Sequence, residues 1–199
     1  LWQITPETTG VLGYQLTLEN YLEDQIIGTG AMSDSRNNRS HYIYAGLDHV
    51  FRPDLAGSIR GGARATDYYN YPGSSSSDTS PYARASLRYR YSADSFAEVG
   101  VNYDRASTDV LGSGPEITKD KEAFVLFANV RQRITPKFYG SLIGQLQNST
   151  FNGGIYDGDT ELYYMLGLNL SYRFTRHLSA EAGYNYDKLD SDASGYSYD

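Results

Sequence analysis

The sequence predicts an all-β protein: an up-and-down antiparallel meander of about nine to ten strands that forms a transmembrane β-barrel or part of a larger one. Three observations lead to this prediction. A turn motif repeats along the chain, apolar and polar residues alternate between the turns, and the connections alternate between short and long. Together they indicate hairpins laid side by side in chain order.

The turn motif occurs five times. Ile-Thr-Pro starts at Ile4 and again at Ile134, and in both copies a glycine lies six residues after the isoleucine. Looser copies, with an apolar residue, a short polar turn and then a small residue, start at Phe51, Tyr91 and Phe174. The starting points are about 47, 40, 43 and 40 residues apart, and such regular self-similarity indicates a repeated structural unit.

Between the turns, apolar and polar residues alternate with a period of two, which is typical of strands whose two faces meet different surroundings. Val125, Phe127, Ile143 and Met165 fit the alternation poorly, because they are apolar on the polar side. The alternation predicts nine strands, with Leu1–Ile4 as the tail of a tenth, at about 9–22, 40–51, 55–69, 82–91, 95–106, 122–134, 138–149, 161–174 and 178–188.

The connections differ at the two ends of the strands. One end has turns of about three residues, such as Ser92–Asp94, and the other has loops of roughly 12 to 18 residues rich in glycine, serine and asparagine. The same repeat runs throughout, so we expect one outer-membrane barrel domain over residues 1–199. We expect that domain to be incomplete at both ends, because strand remnants lie there.

Alternation alone fits a soluble barrel or sandwich, which buries its apolar face, as well as a membrane barrel, which turns that face to lipid. Strands of 10 to 14 residues suit a tilted crossing, for which about 9–11 residues suffice. Short turns on one rim, long loops on the other and aromatic residues near both strand ends are typical of outer-membrane barrels. Four arginines on the polar face argue against a dry core. We therefore favour the membrane barrel.

In that barrel the polar face lines a water-filled lumen. The short turn before Ser95 sets Arg88 opposite Glu98 and Arg84 opposite Asn102. We expect Arg88 to be neutralised locally and the other arginines to leave a net basic stripe. The candidate lumen-lining residues are Arg60, Arg64, Arg84, Arg88, Glu98, Asn102 and Glu181.

Composition and motifs exclude several classes of function. The net charge of -7 argues against a nucleic-acid partner, and no apolar run is long enough for a transmembrane helix. His41, His49 and His177 are scattered, and the acidic loops lack EF-hand spacing. We therefore expect no enzyme, no cofactor, and no catalytic or metal-binding residue.

The last 28 residues, "YRFTRHLSAEAGYNYDKLDSDASGYSYD", carry a family resemblance. An aromatic-x-Phe-Thr turn leads into Leu-Ser-x-x-x-x-Tyr-x-Tyr, an Asp-Ser-Asp loop and a Tyr-x-Tyr-Asp step. This segment resembles the closing part of outer-membrane β-barrel porins of Gram-negative bacteria, some of which belong to exopolysaccharide or capsule gene clusters. The matching positions are Phe174, Thr175, Leu178, Ser179, Tyr184, Tyr186, Asp190, Ser191, Asp192, Tyr196, Tyr198 and Asp199.

The resemblance and the strand pattern predict a channel in the bacterial outer membrane that passes small polar solutes or saccharide through its lumen. The alternative is a non-catalytic barrel scaffold that anchors or encloses a partner in an envelope complex. An outer-membrane enzyme ranks lowest. The expected partners are the lipid bilayer with its lipopolysaccharide, and an envelope protein or further copies of the chain as a homo-oligomer, with no nucleic acid.

Overall fold

The protein, here as a computed structural model, is all-β, and ten of the twelve strands in its described residues form one antiparallel sheet in chain order. The structure describes residues 1–22, 25–28, 30–71, 77–108, 110, 117–193 and 195–198. The strands are β1 Trp2–Thr5, β2 Thr8–Glu19, β3 Ile26–Gly28, β4 Ala31–Met32, β5 Asn38–Arg52, β6 Leu55–Tyr68, β7 Ser77–Ser92, β8 Ser95–Ala106, β9 Asp120–Thr135, β10 Phe138–Asn152, β11 Thr160–Arg173 and β12 Ser179–Ser191.

All nine predicted strands are present, and the first residues form a tenth, β1, which pairs with β2. β7 begins five residues before its predicted start at 82, because Pro81 does not end the strand and pairs with Ala63 of β6. The alternation did not predict the small β3–β4 hairpin or the 3-10 helices Ser33–Arg36 and Gly154–Tyr156. No helix in the described part of the chain is long and apolar enough to cross a membrane.

The sheet has two outer edges. The strand order runs from β1 through β2, β5 and β6 to β12, and each interior strand pairs with its neighbours on both sides. Among the described residues, β1 and β12 do not pair with each other, so the sheet is open. An unpaired edge presents a row of backbone N–H and C=O groups to its surroundings.

The exposure of the two faces is the reverse of that expected in a soluble protein, because apolar side chains are exposed on one face and polar side chains are buried on the other. Directly opposed residues of an antiparallel ladder share a face, and the face that holds Leu47, Ile59 and Leu126 is apolar along every long strand. Most of its leucines, isoleucines and valines are exposed, Leu12 at 78% and Ile59 at 56%. The opposite, polar face holds buried Ser40, Arg64, Thr66, Ser80 and Ser149.

The sheet curves around its polar face. Tyr42 Oη of β5 donates a hydrogen bond to Asp104 Oδ2 of β8 at 3.2 Å, although β6 and β7 lie between them. Tyr68 of β6 reaches Asp120 of β9 in the same way. Strands three places apart in a flat sheet are separated by about 14 Å, which is too far for these contacts. The polar face is therefore concave.

The strands are also staggered. A row of directly opposed partners starts at Gly10, two residues inside β2 from its short turn, and ends at Lys188, three residues from the loop end of β12. Such a stagger makes strands tilt when a sheet curls into a barrel. The full row is Gly10, Leu47, Ile59, Ala85, Val101, Leu126, Leu146, Tyr164 and Lys188.

Phe127, one of the residues that fit the alternation poorly, has a packing reason for its place on the polar face. It lies directly opposite Gly100 of β8. A Cβ atom at Gly100 would lie only 2.5 Å from the Cζ of Phe127, so the ring occupies the space left by the missing side chain. An aromatic ring that covers a glycine in a neighbouring strand supports the local twist of a curved sheet.

Two glycines on the polar face allow β5 and β6 to bend toward each other. A Cβ atom at Gly46 would lie 2.1 Å from the carbonyl oxygen of Ile59, and one at Gly62 would lie 2.0 Å from that of Ile43. Both obstacles are backbone atoms, which cannot move aside without changing the ladder. By contrast, no atom lies within 4 Å of a Cβ placed on neighbouring Gly61, which is on the apolar face.

We expect Gly62→Ala to lower the free energy of unfolding by roughly 1–3 kcal/mol, because the added methyl group forces the two strands apart. Gly61→Ala, the matched control one residue away, should leave stability unchanged or raise it by about 0.5 kcal/mol. Urea titration of both variants refolded in detergent micelles checks this. Equal stabilities would contradict the close approach of β5 and β6.

Candidate functional site

The candidate site is the concave polar face, where all seven residues predicted to line a lumen lie. Arg88 lies directly opposite Glu98, and Arg84 lies opposite Asn102, so the predicted register is confirmed. Arg88 Nη2 is 2.6 Å from Glu98 Oε2. Glu181 is at the far side of the sheet, paired with Ser171.

The predicted basic stripe is wrong for two of its three arginines. Arg60 Nη2 lies 2.7 Å from Asp48 Oδ1 and 2.8 Å from Oδ2. Arg64 Nη1 lies 3.5 Å from Asp104 Oδ1 and donates a hydrogen bond to the carbonyl oxygen of Arg105. Each charge is therefore neutralised locally.

Asp48 and Asp104 were not predicted as ion-pair partners, and the reasons differ. Asp48 lies diagonally across from Arg60, two residues from the directly opposed Gly46, and a long side chain spans that diagonal. The predicted register of this hairpin was therefore sufficient to predict the ion pair between Arg60 and Asp48. Asp104 belongs to β8, which lies two strands from β6, and the local hairpin register does not reveal a contact across an intervening strand.

Arg84 is the member of the stripe that stays exposed. It lies opposite Arg60 on one side and Asn102 on the other. Within the part of the chain that the structure describes, no carboxylate forms an ion pair with it. Its guanidinium therefore contributes positive charge to the middle of the polar face.

Side chains fill the loop end of the concave face. Arg105 Nη1 lies 2.9 Å from Asp120 Oδ2 and 3.2 Å from Asp78 Oδ2, and Lys119 Nζ lies 3.0 Å from the same Asp78 atom. Tyr68, almost fully buried, donates a short hydrogen bond to Asp120.

Above this cluster, Arg36 joins two loops. Its guanidinium is buried and donates hydrogen bonds to the carbonyl oxygens of Thr108 at 2.8 Å, Thr118 at 2.9 Å and Val110. Close by, Ile27 and Ala31 pack against Ile117. The loop after β2 thereby contacts the loop after β8, across the ends of β6 and β7. We call this group of packed loop residues the loop cap; it consists of Ile27, Ala31, Arg36, Thr108, Val110, Ile117 and Thr118.

The turn end of the concave face is open and basic. Arg90, Arg131 and Arg173, from β7, β9 and β11, line one cavity of about 430 Å³ together with Phe96 and Tyr139. All three arginines are exposed. None of them belonged to the predicted stripe, although their alternation with apolar neighbours placed them on the polar face. We call this cavity the turn-side pocket.

No group of three or more histidine, aspartate or glutamate residues in the described ranges is arranged to hold a metal ion. His41 accepts or donates a hydrogen bond with Tyr14, and His49 does so with Thr8, both on or beside the apolar face. Comparison with known proteins gives no match to a family model, a curated protein or a solved structure. Chemistry and geometry alone therefore carry the functional argument.

Asp78 makes the loop-end cluster sensitive to acid. Its Oδ2 atom contacts both Lys119 Nζ and Arg105 Nη1, so protonation of this carboxylate removes both ion pairs at once. A carboxylate that is paired in the folded protein contributes stability at neutral pH, and acid removes that contribution.

We therefore expect Asp78→Asn to destabilise the protein at pH 7 and to matter progressively less below about pH 4. Urea titrations of the wild type and the variant between pH 7 and pH 3 measure the difference. Asp67→Asn, which removes an exposed pair with Arg39, is the control and should change stability little. A difference that stays constant with pH would contradict the role of Asp78.

Proposed function

We propose that this chain forms the wall of a β-barrel channel in the outer membrane of a Gram-negative bacterium, with the concave polar face lining a water-filled lumen. The observation that carries the proposal is that apolar side chains are exposed on one face of the sheet while polar side chains are buried on the other. Most leucine, isoleucine and valine side chains are exposed on the convex face, whereas Ser40, Arg64, Thr66, Ser80 and Ser149 are buried on the concave one.

Water is a poor environment for the convex face. Soluble monomers seldom expose contiguous apolar patches beyond a few hundred Å², and here such residues are exposed on nearly every long strand. Leu12 at one side of the sheet and Leu168 at the other are both exposed, and so is Leu87 between them. A lipid bilayer, including the acyl chains of lipopolysaccharide, satisfies this surface.

The strand lengths suit a bilayer. β2 and β8 have 12 residues and β7 has 16, whereas a tilted strand needs about 9–11 to cross. Aromatic residues near the short turns include Phe51, Tyr91 and Phe174, all of them exposed. Interfacial aromatic girdles occur at this position in outer-membrane barrels.

A barrel wall also needs paired edges, because lipid offers no hydrogen bonds to the backbone. In the proposed channel the outer edges of β1 and β12 therefore pair, either with each other or with further strands. The side chains of the concave face favour a hydrated interior. Arg84 and Arg88 are exposed on this face, and exposed guanidinium groups are satisfied by water but not by a dry core.

A second candidate function is a non-catalytic scaffold that encloses or anchors an envelope partner, including another copy of the chain. The loop cap favours it, because buried side chains fill much of the loop end of the concave face. The cluster of Arg36, Tyr68, Arg105 and Asp120 is buried throughout. A channel must pass through or beside this cap, whereas a scaffold has no such requirement.

Conductance across planar lipid bilayers separates the two functions. We expect discrete single-channel steps from the refolded protein, and larger steps from Arg36→Ala, because the lost guanidinium releases the carbonyl groups that hold the loop cap together. Arg39→Ala, which removes an exposed arginine three residues away, is the matched control and should keep the wild-type step size.

Absence of steps from folded, inserted protein would contradict the channel and support the scaffold. Equal steps from the wild type and Arg36→Ala would contradict the constriction by the loop cap. Insertion is verified independently by resistance of the strands to protease in the same lipid.

A further inference from the structure

The turn-side pocket has a charge that is opposite to that of the whole chain. The protein carries a net charge of -7, yet three arginines converge on this one cavity. Asp94, the carboxylate that also lines it, lies 2.9 Å from Arg133 and is neutralised by that residue. Arg90, Arg131 and Arg173 form no ion pair with any described residue. The pocket therefore offers positive charge to an anion from solution.

The arginine on the central strand is held in place before any ligand binds. The guanidinium carbon of Arg131 lies 5.4 Å from the centre of the Tyr139 ring, within cation–π range. A planar guanidinium fixed in this way loses little conformational freedom on binding, and its paired N–H groups match the two oxygens of a carboxylate.

A second cavity of about 270 Å³ adjoins the pocket and shares Phe96, Arg131 and Tyr139 with it. Its other walls are polar and mostly uncharged. Apart from Gly140, Ile143 and the three shared residues, the lining of this cavity consists of Asn129, Ser141, Asn169, Ser171 and Glu181. Amide, hydroxyl and carboxylate groups of this kind exchange hydrogen bonds with the hydroxyl groups of a ligand.

From this arrangement we infer that the turn-side pocket and its neighbour bind a sugar acid, a saccharide unit that bears a carboxylate. The carboxylate binds the arginines, and the ring hydroxyls bind the amide and hydroxyl groups of the adjoining cavity. The cavity volumes lie near the range of about 300–1,000 Å³ that small-ligand sites occupy. The inference rests on the proposed function, because it names the class of solute that the channel takes up at its turn-side mouth.

Calorimetric titration of the refolded protein in detergent micelles with digalacturonate tests the inference without measuring conductance. We expect digalacturonate to bind more tightly than the neutral disaccharide cellobiose, and more tightly than succinate or inorganic phosphate. Equal binding of cellobiose would show that the arginines do not select the ligand. Equal binding of succinate or phosphate would show a general anion site. Either result, or no binding of digalacturonate, would overturn the inference.

Variants assign the binding to the pocket. Arg131→Gln and Arg173→Gln should each weaken digalacturonate binding by roughly tenfold or more, the usual effect of losing a charge-assisted hydrogen bond. Arg176→Gln makes the same charge change in the exposed turn between β11 and β12, lines neither cavity, and should bind as the wild type does. Equal weakening by all three variants would indicate general electrostatic attraction and would contradict the pocket.

The proposed channel and the proposed sugar-acid site can be refuted independently of each other. A protein that conducts ions but does not select digalacturonate retains the proposed channel and loses the sugar-acid site. A protein that binds digalacturonate through Arg131 and Arg173 but gives no conductance retains the site and loses the channel.

Discussion

The register of the antiparallel ladders is the constraint on which the rest of this structure depends. A slip of one residue in any strand would move its apolar side chains to the polar face. Irregularities in the ten-stranded sheet occur only where strands meet short turns, at Thr5, Arg52, Ser92 and Phe138. In the middle of every long strand, side chains alternate between the two faces without interruption. One face is therefore apolar and the other polar across the whole width of the sheet.

Curvature gives the two faces different electrostatic roles. On the concave side, strands that are not neighbours come within reach of each other, so Arg64 of β6 pairs with Asp104 of β8 and Tyr68 of β6 contacts Asp120 of β9. Arg105 of β8 pairs with Asp78 and Asp120 on the two adjacent strands. A buried arginine without such partners would be strongly unfavourable. The loop end is consequently filled by compensated charges, whereas the turn end keeps exposed arginines around an open pocket. In the proposed channel, this asymmetry would make the loop end the constriction and the turn end the site of solute recognition.

Much of the fold was predictable from the sequence because alternation and turn spacing are local signals. Ten strands, their order and the pairing of Arg88 with Glu98 follow from them. The ion pair between Arg60 and Asp48 could also have been predicted, because Asp48 is a diagonal cross-strand neighbour of Arg60. The loop cap, the Tyr68–Asp120 contact and the turn-side pocket were not predictable, because each depends on how far the sheet curves. Glycines such as Gly62 let neighbouring strands approach closely, and this effect on backbone spacing has no periodic signature in the sequence.

The central claim is that the apolar face meets lipid and the polar face meets water. Trp2 is the only tryptophan, so Trp2→Phe provides a background in which a single tryptophan reports its surroundings. Leu168 and Asn169 are adjacent in β11 and lie on opposite faces. In vesicles with brominated lipid, Leu168→Trp fluorescence should be quenched strongly, and Asn169→Trp should instead be quenched by aqueous acrylamide. Strong lipid quenching at residue 169, or none at residue 168, would contradict the account.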